Sequence, residues 1–217
     1  MPDIAPSPGG VRVERIVTSG TIESAHGTIE LENNTWVVGG GTECLLIDAG
    51  HDGRRIVKSI PLERRVRGVL ITHGHQDHIN AVGEVCDGTR APAYLHPADR
   101  PLWDEVYPVT PDRELAEGDV LTIDDVDLHV IHTPGHTPGS CCFYAPALDA
   151  LFTGDTLFPG GPGATRNPYS SFETIIDSIR TRLFTLPEET VVLPGHGEAT
   201  VIGAESPQLQ EWIDRGW

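Results

Sequence analysis

Alternating apolar and polar positions run through the first fifty residues. The segments VRVERIVTS, TIELENNTWVVGG and TECLLIDAG are rich in β-branched side chains and close on Gly, Asn or Ser, which predicts three strands of a β-meander. From His51 the pattern changes: DGRRIVKSI reads as a short helix, RGVLIT as an apolar strand, and HGHQDH as a polar loop after it. HINAVGEVC continues as a helix, APAYLHP as a short strand, and PADRPLWDEV as a short helix opened by its proline. The runs DVLTID, VDLHVIHT, SCCFYAP and ALFTGD are separated by turn residues and predict a second meander. FPGGPGATRNPY is too rich in Gly and Pro for regular structure and reads as a loop. Ser170 followed by Glu173 is a capping-box pattern, and Phe172, Ile175, Ile176, Ile179 and Leu183 then have helical spacing, so a core-packed helix is expected to about Leu183. The strand TVVLP and an amphipathic stretch around PQLQEWI complete the chain.

No linker divides these parts, and 217 residues suit one domain spanning residues 1–217. A formal charge of −17 disfavours phosphate backbones and anionic lipid, so neither a nucleic acid nor a membrane is expected as partner. The opening MPDIAPSPGG lacks a basic start and an apolar stretch of signal-peptide length, and no later run is long enough to span a bilayer; a cytoplasmic location is the expectation. Cys44, Cys86, Cys141 and Cys142 show no C-x-x-C spacing and read as small core residues, with Cys141 and Cys142 facing opposite ways if they share a strand.

Ten histidines are many for this length, and half of them sit where turns follow apolar strands. His73 and His75 are two apart in an extended segment and can point the same way, while Asp77 and His78 follow where the chain turns into a helix. Imidazole with carboxylate suits zinc, iron or manganese, and this crowding of ligand types in six residues is more than a helix cap requires. Pro134-Gly135-His136 and Pro194-Gly195-His196 each stop a strand and turn an imidazole outward, and Asp155 follows the strand ALFTG in the same manner.

The motifs THGHQDH, TPGHTPGS, FTGDTLF and PGHG, in this order between residues 48 and 197, resemble the metallo-β-lactamase superfamily and, within it, the glyoxalase II-like branch. The resemblance implies an α/β fold built as a four-layer αββα sandwich with two metals along one edge. It implies that His73, His75 and His136 hold the first metal, that Asp77, His78 and His196 hold the second, and that Asp155 bridges them. Asp48 resembles the family's carboxylate that orients the metal loop. His132 reads as a structural neighbour of the Pro-Gly-His turn, and His26, His51, His96 and His129 as surface or core residues, although His26, in a Gly-flanked loop, is also placed to line a pocket.

No G-x-S-x-G elbow is present and no cysteine stands beside a base in the sequence, so water is the expected nucleophile, made hydroxide by two divalent metal ions. Zinc is the first expectation for these ions, with iron or manganese as alternatives. Asp77 would orient the hydroxide. A thiolate leaving group, with a parent pKa of about 8.5, departs without a strong acid, whereas an amide is harder. The resemblance therefore favours hydrolysis of a small-molecule thioester of a low-molecular-weight thiol. Glutathione-specific relatives use a lysine, tyrosines and often a C-terminal helical extension; Lys58 is the only lysine here, and Arg166 and Tyr169 are the candidate substrate contacts in its place. Two other activities use the same ligands: a mononuclear iron persulfide dioxygenase, through the equivalents of His73, His136 and Asp155, and a lactone hydrolase.

Overall fold

The computed structural model describes residues 4–24 and 27–216. His26 lies outside the described residues. The predicted first meander forms as β1 (Arg12–Ser24), β2 (Gly27–Gly39) and β3 (Glu43–Ile47), antiparallel neighbours in sequence order. Parallel strands β4 (Arg65–Leu70), β5 (Ala93–Leu95) and β6 (Arg113–Glu114) extend it to a six-stranded sheet in the order β1 to β6. The second meander, β7 (Val120–Ile123), β8 (Val126–His132), β9 (Cys141–Ala145) and β10 (Ala150–Gly154), builds a second sheet. The predicted loop after it opens with a two-stranded hairpin, β11 (Leu157–Phe158) and β12 (Gly161–Pro162), and is irregular beyond it. Strand β13 (Val191–Pro194) joins β10 in parallel and β14 (Thr200–Val201) closes the edge, giving the order β14-β13-β10-β9-β8-β7.

Period-two alternation sorts side chains between layers. In β3, Leu45 and Ile47 enter the core between the sheets, while Cys44 and Leu46 face the other way. Trp36 and Leu70 from the first sheet meet Phe143, Phe152 and Leu193 from the second in that inner core. The outer face of the first sheet is covered by α1 (Gly53–Ser59), α2 (Gln76–Ile79), α3 (Val82–Thr89) and α4 (Arg100–Asp104), with Ile56, Ile79, Val82, Val85 and Trp103 buried there. The outer face of the second is covered by α5 (Phe172–Ser178), α6 (Ile202–Glu205) and α7 (Leu209–Arg215), through Ile175, Ile202 and Trp212. The result is a four-layer αββα sandwich. Cys141 packs in the inner core and Cys142 in the outer one, and all four cysteines are unpaired.

One boundary differs from the sequence pattern. The N-cap of α5 is Ser171, whose Oγ accepts from Thr174 N at 3.2 Å, rather than Ser170. Past Ser178 the chain continues as a wider π turn, Ile179–Leu183, that keeps Ile179 and Leu183 in the core. Among the described residues, no helix is long and apolar enough to cross a membrane.

Candidate metal centre

The polar residues singled out in the sequence follow the C-terminal ends of strands in both sheets. His73 and His75 follow β4, Asp77 and His78 lie in α2, His136 follows β8, Asp155 follows β10 and His196 follows β13. Gly154 turns the chain at the end of β10 with φ of +48°, in the left-handed region, where a Cβ would run into the Thr72 side chain. The structure brings these seven residues together in three overlapping groups able to hold metal ions: His73, His75 and His136; His73, His78 and Asp155; and Asp77, His78 and His196.

Hydrogen bonds on the far side of each ring assign its tautomer. Asp48, 3% exposed, accepts from Thr72 N at 2.8 Å, from Thr72 Oγ1 at 2.7 Å and from His78 Nδ1 at 2.8 Å. Because the Thr72 hydroxyl gives its proton to Asp48, its oxygen accepts from His73 Nδ1 at 3.0 Å. His136 Nδ1 donates to the Ala164 carbonyl and His196 Nδ1 to the Glu32 carbonyl, each at 2.7 Å. His75 is reversed: its Nε2 faces the Tyr169 hydroxyl at 2.9 Å, and its Nδ1 lies 3.0 Å from His73 Nε2 and 2.9 Å from His136 Nε2. His78 Nε2 lies 3.1 Å from His196 Nε2. Five imidazole lone pairs thus converge, an arrangement that repels itself unless positive charge sits among them.

The carboxylates make the same demand. Asp155 Oδ1 is buried without a hydrogen-bond partner, 3.3 Å from His78 Nε2, while Oδ2 is 3.5 Å from His196 Nε2 and 3.7 Å from His136 Nε2. Asp77 Oδ2 lies 3.1 Å from His196 Nε2. Burial pushes Asp77 and Asp155 up, but the charge of His78 and a hydrogen bond from His196 at Asp77, and the charges of both rings at Asp155, outweigh it and hold both below the usual carboxylate range. Burial disfavours charge on His78 and His196 too; the facing carboxylates overcome it, raising His78 well above its ordinary value and His196 to about 10. On the other side, burial and neighbouring imidazoles press His73 well down and His75 to about 4. A three-histidine cluster beside a cation-seeking carboxylate cluster fits a pair of divalent metal ions.

The His196 and His136 turns and Asp77 are pinned by residues that the sequence pattern did not assign to the site. Strand β2 holds the His196 turn: Asn34 N donates to Gly195 O at 2.8 Å, Asn34 Nδ2 to Pro194 O at 2.9 Å and Gly197 O at 3.1 Å, and Trp36 Nε1 to Pro194 O at 3.0 Å. Asn33 Nδ2 donates to Asp77 Oδ2 at 3.1 Å, and Asn33 Oδ1 accepts from His51 Nε2 at 2.8 Å, so His51 is tied to the site through Asn33. Both ends of α5 hold the His136 turn: Ser178 Oγ at its last residue, and Ser171 N and Ser170 Oγ before its first, donate to the carbonyls of Pro134, Gly135 and His136, each at 2.8 Å. His96 and His132 stack on each other, 4.1 Å between centroids, and belong to none of the three groups. His129 lies in β8 opposite Val120 and Tyr144. Arg166 is exposed on the loop that carries Tyr169.

The sequence model described as the metallo-beta-lactamase superfamily matches residues 29–196, the span that holds all of these loops. The chain belongs to the metallo-β-lactamase superfamily. Within that superfamily it is 34% identical over 192 residues to the probable metallo-hydrolase YqgX of Bacillus subtilis, covering 82% of this chain and 91% of the relative. It is 34% identical over 175 residues to hydroxyacylglutathione hydrolase GloC of Haemophilus influenzae, covering 74% and 82%. The solved structure titled TTHA1623 in a di-iron-bound form superposes with a TM-score of 0.71 at 31% identity, covering 87% of this chain and 96% of that one. This protein is therefore a metallo-hydrolase-type member of the superfamily whose His and Asp cluster is able to bind metal ions.

Proposed function

We propose that this protein hydrolyses a thioester of a low-molecular-weight thiol, acting as one metallo-β-lactamase domain over residues 1–217 with two divalent cations, zinc before iron or manganese. The observation that carries the proposal is the convergence of five imidazole lone pairs beside the Asp155 carboxylate, whose buried Oδ1 has no hydrogen-bond partner, and an ionised Asp77. His73, His75 and His136 would hold the first cation, Asp77, His78 and His196 the second, and Asp155 would reach both. Bound there, such cations supply water with a pKa lowered to about 7 and stabilise negative charge growing on a carbonyl oxygen.

The remaining work falls to this chain's own groups. Asp77, fixed by Asn33 Nδ2, orients the attacking water. Asp48 fixes the His78 ring and, through Thr72, the His73 ring. Tyr169 accepts from His75 Nε2, which leaves its own hydroxyl proton free to meet the substrate. Arg166, on the same loop, offers a forked donor to a carboxylate of the thiol carrier. The leaving thiolate, with a parent pKa of about 8.5, needs no strong acid. The name of the Haemophilus relative supports a thioester substrate. Four unpaired cysteines suit a reducing, cytoplasmic setting, and a charge of −17 disfavours nucleic acid or an anionic membrane as partner.

A mononuclear dioxygenase would leave the tautomer-fixed His78 and His196 and the Asn33-held Asp77 without a task. The test is metal quantification on protein purified without added metal, then turnover of a panel of thioesters, lactones and a persulfide with oxygen uptake recorded. Two metals per chain and thioester cleavage without oxygen uptake are expected. Oxygen consumed with persulfide at one iron per chain, or lactone cleavage alone, would overturn the proposal.

A further inference from the structure

Asp99 is a fully buried acid at the end of the 3-10 turn Pro97–Asp99, between β5 and α4, and lies in none of the ligand motifs. Its side chain makes three hydrogen bonds. Oδ2 accepts from Gly74 N at 2.7 Å and from Thr137 Oγ1 at 2.6 Å, and Oδ1 accepts from Gly139 N at 2.5 Å. Gly74 stands between His73 and His75, and Thr137 and Gly139 follow His136. One carboxylate therefore ties the loop after β4, in the first sheet, to the loop after β8, in the second. The approach needs bare backbone: a Cβ on Gly139 would lie 2.7 Å from Asp99 Cγ. Thr137 is itself held, with its hydroxyl 2.8 Å from Ser140 Oγ.

We propose that Asp99 is a positioning residue for the His73, His75 and His136 centre, fixing the spacing of the two loops that supply it. The inference rests on the metal-centre reading above. The other centre has separate supports: Asp77 is held by Asn33, His78 by Asp48, and the His196 turn by β2. Loss of Asp99 should thus act on one centre and spare the other. An asparagine keeps the shape, yet its amide group must face at least one of the three donors, so a hydrogen bond becomes a donor-donor conflict.

The test is cobalt(II) titration of the metal-free full chain, read by visible absorption and by competition with a chelator. His75→Ala and His196→Ala supply the reference spectra of a chain emptied at each centre. Asp99→Asn is expected to weaken the centre marked by His75→Ala by roughly 10- to 100-fold, with the centre marked by His196→Ala unchanged. Thr137→Val removes one of the three hydrogen bonds, should weaken the same centre to a smaller degree, and decides the matter alone if Asp99→Asn does not fold. Equal weakening of both centres, or no weakening, in a variant with native circular dichroism and melting would overturn the inference while leaving the metal reading intact. A wild-type chain that takes up no cobalt would overturn both.

Discussion

His78 and His196 face each other Nε2 to Nε2 across 3.1 Å, and the Asp155 carboxylate reaches both rings. With both outer nitrogens committed to Asp48 and Glu32, positive charge between the rings has to come from added protons or from a cation. Asp155→Ala removes the group that reaches both clusters. It should lower metal content below two per chain and cut turnover by several kcal/mol of barrier, roughly a thousandfold. Elemental analysis with steady-state kinetics checks it.

Tyr169→Phe removes the hydroxyl facing His75 Nε2 and should lower affinity for the cation at that ring or turnover by about tenfold. A chelator competition run beside the kinetics separates the two effects.

Arg166→Ala should raise KM several-fold on the best thioester with little change in kcat, because a group that holds the carrier end alone contributes equally to ground state and transition state. Unchanged kinetics would remove Arg166 from the site.

Cys141→Ala should leave turnover within about twofold, since the thiol points into the core between the sheets and burial pushes it well above its ordinary value. The cost should be a loss of about 1 kcal/mol in stability, read from denaturant unfolding.

The stacked pair His96 and His132 gives a pH effect of defined sign. Burial first, and then the charge of His132, hold His96 down to about 4 in the native protein, against about 6.5 when unfolded. Between those values the unfolded chain binds a proton that the native chain refuses. The contribution is therefore complete above pH 6.5 and is lost as pH falls towards 4. Denaturant midpoints of chelated His96→Gln should fall less steeply than wild type between pH 6.5 and 4.

Residues that announce themselves by type and turn context were legible in the sequence: His73, His75, Asp77, His78, His136, Asp155 and His196 all follow apolar strands, and both meanders show their period. The two-residue strands β6 and β14 are too short to show any period. The serine pair at 170 and 171 reads locally as one cap, yet tertiary contact divides the work, with Ser171 capping α5 and Ser170 holding His136 O. Asn33 and Asn34 lie in a run that reads only as strand, and their value comes from residues distant in sequence, Asp77 for Asn33 and the turn around Gly195 for Asn34. Asp99 looked like the start of a helix, because its partners at 74, 137 and 139 become neighbours only once both sheets are assembled.

The donors divide by sheet: His73, His75, Asp77 and His78 follow the first, and His136, Asp155 and His196 follow the second. A cation gripped by both sets is a reversible cross-link between the halves of the sandwich. By mass action, free metal at a thousand times the dissociation constant adds about 4 kcal/mol to folding, a large part of what holds most domains together. Metal supply in the cell would then govern how long each copy survives proteolysis as well as how fast it turns over.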